Sequence, residues 1–153
     1  MDIHGWIELT ALDVAQRGES YAWAGVIRLD YLIGWYDIVA VALFRFRPAT
    51  PLRGEPELPS PIAAERGLPS NPSEQVTAEL DEIKRLEETR GAGEIGGYTH
   101  VYWEEIENVD WRSFGVERLQ DSPWFTVFNL VRVLKASSEF AHAGIRIVCW
   151  RNW

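Results

Sequence analysis

IHGWIELT, residues 3–10, alternates along its length. Ile3, Gly5, Ile7 and Leu9 fall on one side; His4, Trp6, Glu8 and Thr10 fall on the other. A two-residue period of this kind marks a half-buried β-strand. The last ten residues, GIRIVCWRNW (144–153), repeat the signal after Gly144. Two strands at opposite ends of the sequence suggest a sheet in which they lie side by side. Trp6 and Trp150, each on the more polar side of its strand, would then pack across the pair.

Between these strands the punctuation is helical in places. DSPWFTVFNLVRVLK (121–135) carries an Asp121 or Ser122 cap, then Pro123, then Trp124, Val127, Phe128, Val131 and Leu134 at three-and-four spacing. Arg132 and Lys135 lie near its C-terminal end, where the helix dipole favours cations. SEQVTAELDEIKRLEETR (73–90) reads as a second helix with a narrow stripe of Val76, Leu80, Ile83 and Leu86, ended by Gly91. Its start fits an Asn71 cap, Pro72 in the first turn and Glu74 closing an Asn-x-x-Glu capping box. Either it is a peripheral helix or its charged faces are offered to a partner.

SYAWAGVIRLDYLIG (20–34) also reads as a helix: Trp23, Val26, Ile27 and Tyr31 recur at helical spacing, Ser20 can cap it and Gly34 can stop it. WYDIVAVALFRFR (35–47) fits a buried helix or a buried strand; helix through Ala42, then extended chain, is the reading adopted. YTHVYW (98–103) alternates as a strand, and EEIENVDW (104–111) supplies a short helical turn.

Residues 47–72 hold seven of the eight prolines, a density that no regular element tolerates. The expected architecture is a single α+β domain over 1–153. It has a small sheet containing the N- and C-terminal strands, two or three helices, and a long Pro-rich loop at 47–72.

Composition narrows the function. A formal charge of −8 disfavours nucleic-acid binding, which needs a basic stripe, and suits a basic protein partner. Eight tryptophans either wall the core or anchor an interface. A homo-oligomer is compatible with the same composition. The first residues lack the basic and apolar regions of a signal peptide, and no apolar run reaches the length of a membrane span. A cytoplasmic protein is the expectation. Cys149, the single cysteine, sits in an apolar run as an inert buried thiol.

Catalytic motifs are missing. GAGEIGG (91–97) follows a charged helix rather than a strand, so it is no dinucleotide fingerprint. No Gly-x-Ser-x-Gly elbow is present. His4, His100 and His142 are scattered, so neither a metal nor a cofactor is expected. The candidate binding residues are Arg53, Arg66, Gly67, His100, Trp103 and Glu104. Arg66 lies just before a helix N-terminus, where anions are favoured. His100 and Glu104 lie in a run of titratable groups that ends at Asp110. The competing reading is that Arg66 pairs with a carboxylate and pins the loop.

PIAAERGLP (61–69), the acidic helix after it, YWEEIENVDW (102–111), the Trp-bearing helix and the terminal IRIVCWRNW together resemble a group of small bacterial and phage proteins with no established activity. In style alone, the chain is similar to bacterial immunity proteins, which bind and neutralise toxins. A non-catalytic, inhibitor-type binding protein acting on a protein partner is therefore the leading expectation. The alternative is a small-molecule site, for an anionic ligand or a nucleotide, or a hydrolase, between the Arg66 loop and the His100–Asp110 segment.

Overall fold

A computed structural model describes residues 2–10, 22–33, 37–46, 59–91 and 95–152. Among these residues, four antiparallel strands form one sheet: β1 (Asp2–Thr10), β2 (Trp23–Arg28), β3 (Ile95–Tyr102) and β4 (Ile145–Asn152), in the order β2-β1-β4-β3. Four α-helices accompany it among the described residues: α1 (Ile38–Phe44), α2 (Glu74–Arg90), α3 (Trp103–Glu107) and α4 (Trp124–Ala136). The class is α+β, and the N- and C-terminal strands are neighbours at its centre.

The alternation of β1 sorts the structure into two cores. Ile3, Ile7 and Leu9 join Ile145, Ile147 and Cys149 of β4 and Val101 of β3 on one face. Buried residues of α1, α3 and α4 cover them, including Leu43, Phe44, Trp103, Trp124 and Phe128. The opposite face carries a smaller core of Val148 and Trp150 with Val76 and Leu80 of α2; Trp6, Ile83 and Tyr98 pack against it. Trp6 and Trp150 thus share one core, as their positions on the strands suggested. Burial pushes the Cys149 thiol well above its ordinary pKa, which keeps it protonated and inert.

Trp103, Trp124 and Trp150 are fully buried. Phe44 meets Trp124 at 5.6 Å between ring centroids, and Trp111 stacks on Phe128 at 5.5 Å. These tryptophans, then, build core walls.

Residues 20–34 correct the sequence reading. Trp23–Arg28 is the edge strand β2, not a helix, with Ile7 opposite Ile27. Spacing could not separate the two because Trp23, Val26 and Ile27 have strand propensity as well as a helical interval. Pairing with β1 satisfies the backbone and brings Ile27 against the main core. A 3₁₀ turn, Leu29–Tyr31, follows; it buries Leu29 and leaves Tyr31 in solvent. Ser20 and Gly34 lie outside the described residues.

Helix α1 runs two residues past Ala42. The Asp37 carboxylate caps it by accepting from Val39 N at 2.6 Å, and Arg45 ends it in a left-handed conformation. Its last carbonyls are taken by the Pro-rich segment: Ile62 N and Ala63 N donate to Ala42 O and Leu43 O at 3.1 and 2.7 Å.

The cap of α2 is Ser73 rather than Asn71. The Ser73 hydroxyl accepts from Val76 N at 3.3 Å. Asn71 is occupied elsewhere: its side-chain and main-chain oxygens accept from Arg146 at 3.0 and 2.7 Å. Arg146 also donates through Nε to Glu8 at 2.5 Å, and Glu8 accepts from Ser73 N at 2.7 Å. Glu8 and Arg146 are cross-strand partners, both with fully inaccessible side chains. The N-cap of α4 is Pro123 rather than Asp121 or Ser122; the Ser122 hydroxyl just before it accepts from Trp124 N at 3.1 Å, and Asp121 ends the preceding 3₁₀ turn.

Gly5 marks a close approach of β1 and β4. Its φ is +150°, and a Cβ there would lie 2.2 Å from Val148 O and 2.7 Å from Cys149 Cα. Both neighbours are backbone and cannot swing aside. Gly5→Ala should therefore lower unfolding stability by about 3 kcal/mol, read as a drop in the urea midpoint. A change within about 0.5 kcal/mol, the ordinary surface range, would show that the central strands tolerate a side chain there.

Candidate functional site

The Arg66 loop is built on the edge of β3. Gly67 N donates to Tyr98 O at 3.0 Å, His100 Nδ1 meets Gly67 O at 2.9 Å, and the Thr99 hydroxyl donates to Ala63 O. Gly67 takes φ +75°, a conformation that favours glycine, and this turn aims Arg66 across the strand. Arg66 then meets Glu105 of α3 in a two-pronged pair, Nη1 and Nη2 each 2.8 Å from one carboxylate oxygen. Nη2 also donates to Ile62 O at 2.6 Å. Glu105 is itself held, since Tyr102 N donates to it at 3.0 Å.

The electrostatics agree with this geometry. The hydrogen bond from Arg66 holds the Glu105 carboxyl below its ordinary pKa, against the opposing effect of burial. The same bond raises Arg66 above its ordinary value. Arg66 is a clamp between loop and helix, and its anion-binding edge is turned onto a carboxylate of its own chain.

The expected site residues therefore separate. Arg66, Gly67 and His100 meet in one hydrogen-bonded unit. Glu104 points to solvent on α3. Trp103, expected at a surface, is 1 % exposed in the main core, because α3 turns that side inward against Phe128. Arg53 lies outside the described residues. Glu105 was the missing member; its position three residues after Tyr102, at the start of a short helix, is the one signal that could have singled it out.

A second cluster was not legible at all. His4 of β1 bonds through Nδ1 to Asp30, in the 3₁₀ turn after β2. Arg28 bridges Asp30 and Glu79 of α2, with Nε at 3.0 Å and Nη2 at 2.7 Å. Trp6 Nε1 donates to the other oxygen of Glu79 at 2.7 Å. The hydrogen bond with Asp30 raises His4 above its ordinary pKa of 6.5; burial opposes this, and the charges of Asp30, Glu79 and Asp2 add to it. Burial works against ionisation of Asp30, but His4 and Arg28 outweigh it and hold that carboxyl below its ordinary range.

Searches of protein-family models, curated proteins and solved structures find no match to the chain. The site's chemistry is therefore read from its residues alone.

The clamp gives a pH prediction. Because Glu105 has a depressed folded-state pKa, its stabilisation is present above the ordinary value of 4.5 and is lost as pH falls through the folded value. Glu105→Gln should thus be less stable than the parent at pH 7, by about 1 kcal/mol or less for so exposed a pair. The two proteins should draw together as pH falls from 4.5 towards the lower folded value. Urea titrations at pH 7 and pH 3.5 check this; an equal difference at both values would mean that the Arg66–Glu105 pair does not carry it.

Proposed function

We propose that the protein is a non-catalytic binding protein of the inhibitor or immunity type, docking a basic protein partner on the outer face of α2. The supporting observation is the disposition of charge on that helix. Glu74, Asp81, Glu82 and Glu88 face solvent, while Val76 and Leu80 turn to the sheet. Lys84 and Arg85 lie three residues after Asp81 and Glu82 and pair with them at 3.7 and 2.6 Å. Exposed pairs of this kind contribute little, so a partner's lysines and arginines can exchange with them at small cost. Leu86, partly exposed in the same helix, adds an apolar contact.

The chain's charge of −8 extends the same field and favours fast encounter with a basic surface. Trp103, Trp124 and Trp150 are core and offer no anchor to a partner, while Trp6, Trp23 and Trp111 are half-buried. Recognition on this reading is electrostatic first, with α2 held rigidly by the sheet beneath it. The anionic-ligand alternative is weakened because Arg66, its binding group, is neutralised by Glu105.

Affinity purification at near-native expression tests the proposal, with the parent chain compared to an Asp81→Lys, Glu82→Lys, Glu88→Lys variant whose fold is checked by circular dichroism. The parent should retain a basic partner at low salt and release it as salt rises. The variant should bind that partner roughly ten-fold or more weakly, the scale of two or three charge contacts. A parent that elutes alone, or a variant that binds equally well, would overturn the proposal.

A further inference from the structure

The cluster around His4 supports an inference beyond partner binding. His4, Asp30 and Glu79 each offer one ligand atom, and those atoms lie within 4.8 Å of one another. They come from three elements: β1, the turn after β2, and α2. We propose that these residues form a binding site for a divalent transition-metal ion, with Zn²⁺ as the reference ion, and that the bound ion ties α2 to the sheet.

The donor set suits such an ion. One imidazole nitrogen with two carboxylate oxygens is a ligand combination used for Zn²⁺ and other first-row metals. Bonds of about 2.0–2.2 Å bring the donors of one ion within about 3–4 Å of each other. Reaching that arrangement takes an ångström-scale adjustment of three half-buried side chains, in which His4 Nδ1 and Asp30 Oδ1 move apart.

The groups around the ligands are already in position. Trp6 Nε1 orients Glu79 through one oxygen, and Arg28 Nε holds Asp30 through Oδ2. Each carboxylate oxygen has a second lone pair, so these contacts can persist beside a metal bond. The contact that must give way is the one between His4 Nδ1 and Asp30 Oδ1, where the entering ion takes the place of the shared hydrogen; the ring stays neutral with its hydrogen on Nε2, and any second proton leaves to solvent. Arg28 and the two carboxylates sum to −1 when His4 is neutral, so a dication leaves the site at +1, which its partial exposure accommodates. Three protein ligands leave a fourth position for water.

The other histidines lack these features. His100 Nδ1 is engaged by Gly67 O, and the nearby Glu105 is committed to Arg66. His142 is exposed near the chain's last strand, away from the cluster.

Isothermal titration of Zn²⁺ into the chelator-treated full chain tests the site. One ion should bind per chain and raise the melting temperature. Asp30→Asn and Glu79→Gln should each weaken binding roughly ten-fold or more, while His142→Ala leaves it unchanged. In the parent chain, Zn²⁺ should shift the ring NMR signals of His4 and not those of His100, a readout that depends on no variant folding. Absence of binding overturns the proposal. So does binding that survives both Asp30→Asn and Glu79→Gln, because the ion would then sit on His4 with other donors.

Discussion

Glu8 and Arg146 face each other across the two central strands, with no solvent reaching either side chain. A buried charge pair is tolerated only when its remaining hydrogen-bonding positions are filled. Here three residues surround the pair. Asn71 takes two donors of Arg146, the Trp23 ring lies 3.9 Å from its guanidinium carbon, and Ser73 N takes the second oxygen of Glu8. The pair joins β1 to β4, draws the edge strand's Trp23 over it, and places the residue that caps α2. Glu8 also puts a negative charge beside the N-terminus of that helix, the favourable end for it.

The placement of α2 follows from that junction. The helix has a thin apolar stripe and covers a core of only a few residues, so its own burial would leave its direction weakly specified. Anchored at Ser73, it lies over Val148 and Trp150 with its acidic side outward, and it delivers Glu79 to Arg28 and to the vicinity of His4. Both the proposed docking face and the proposed metal site therefore depend on how this one helix is seated. The main core on the opposite face, rich in large aromatic side chains, supplies the bulk of the hydrophobic stabilisation.

The sequence made β1, β4 and α4 legible because their signals are local: alternation in Ile3–Leu9, the apolar run before Trp150, and a Ser-Pro start ahead of Trp124. It misled at β2, where Trp23, Val26 and Ile27 sit at a helical interval yet have strand propensity, and the deciding partner, β1, is set by tertiary pairing. It misplaced the α2 cap because Asn71 is an equally good local cap, and only Arg146, 75 residues away, removes it from that role. The sites were less legible than the fold. Arg66 was visible as an isolated cation in a loop, but Glu105 lies 39 residues on. His4, Asp30 and Glu79 are joined only by the folded chain. A clue was present in Glu8 and Arg146 themselves: charges within strands at both ends of the sequence call for each other once those strands are central.

A double-mutant cycle on this pair tests the dependence most directly. Unfolding stability would be measured in urea for Glu8→Leu, Arg146→Met and the double variant. If the pair organises the fold, each single substitution strands a buried charge and costs about 3–5 kcal/mol. The double variant should then cost much less than the sum, with a coupling of at least about 2 kcal/mol. Single losses under about 1 kcal/mol that simply add would contradict it, and would mean that the helix is seated by apolar packing alone.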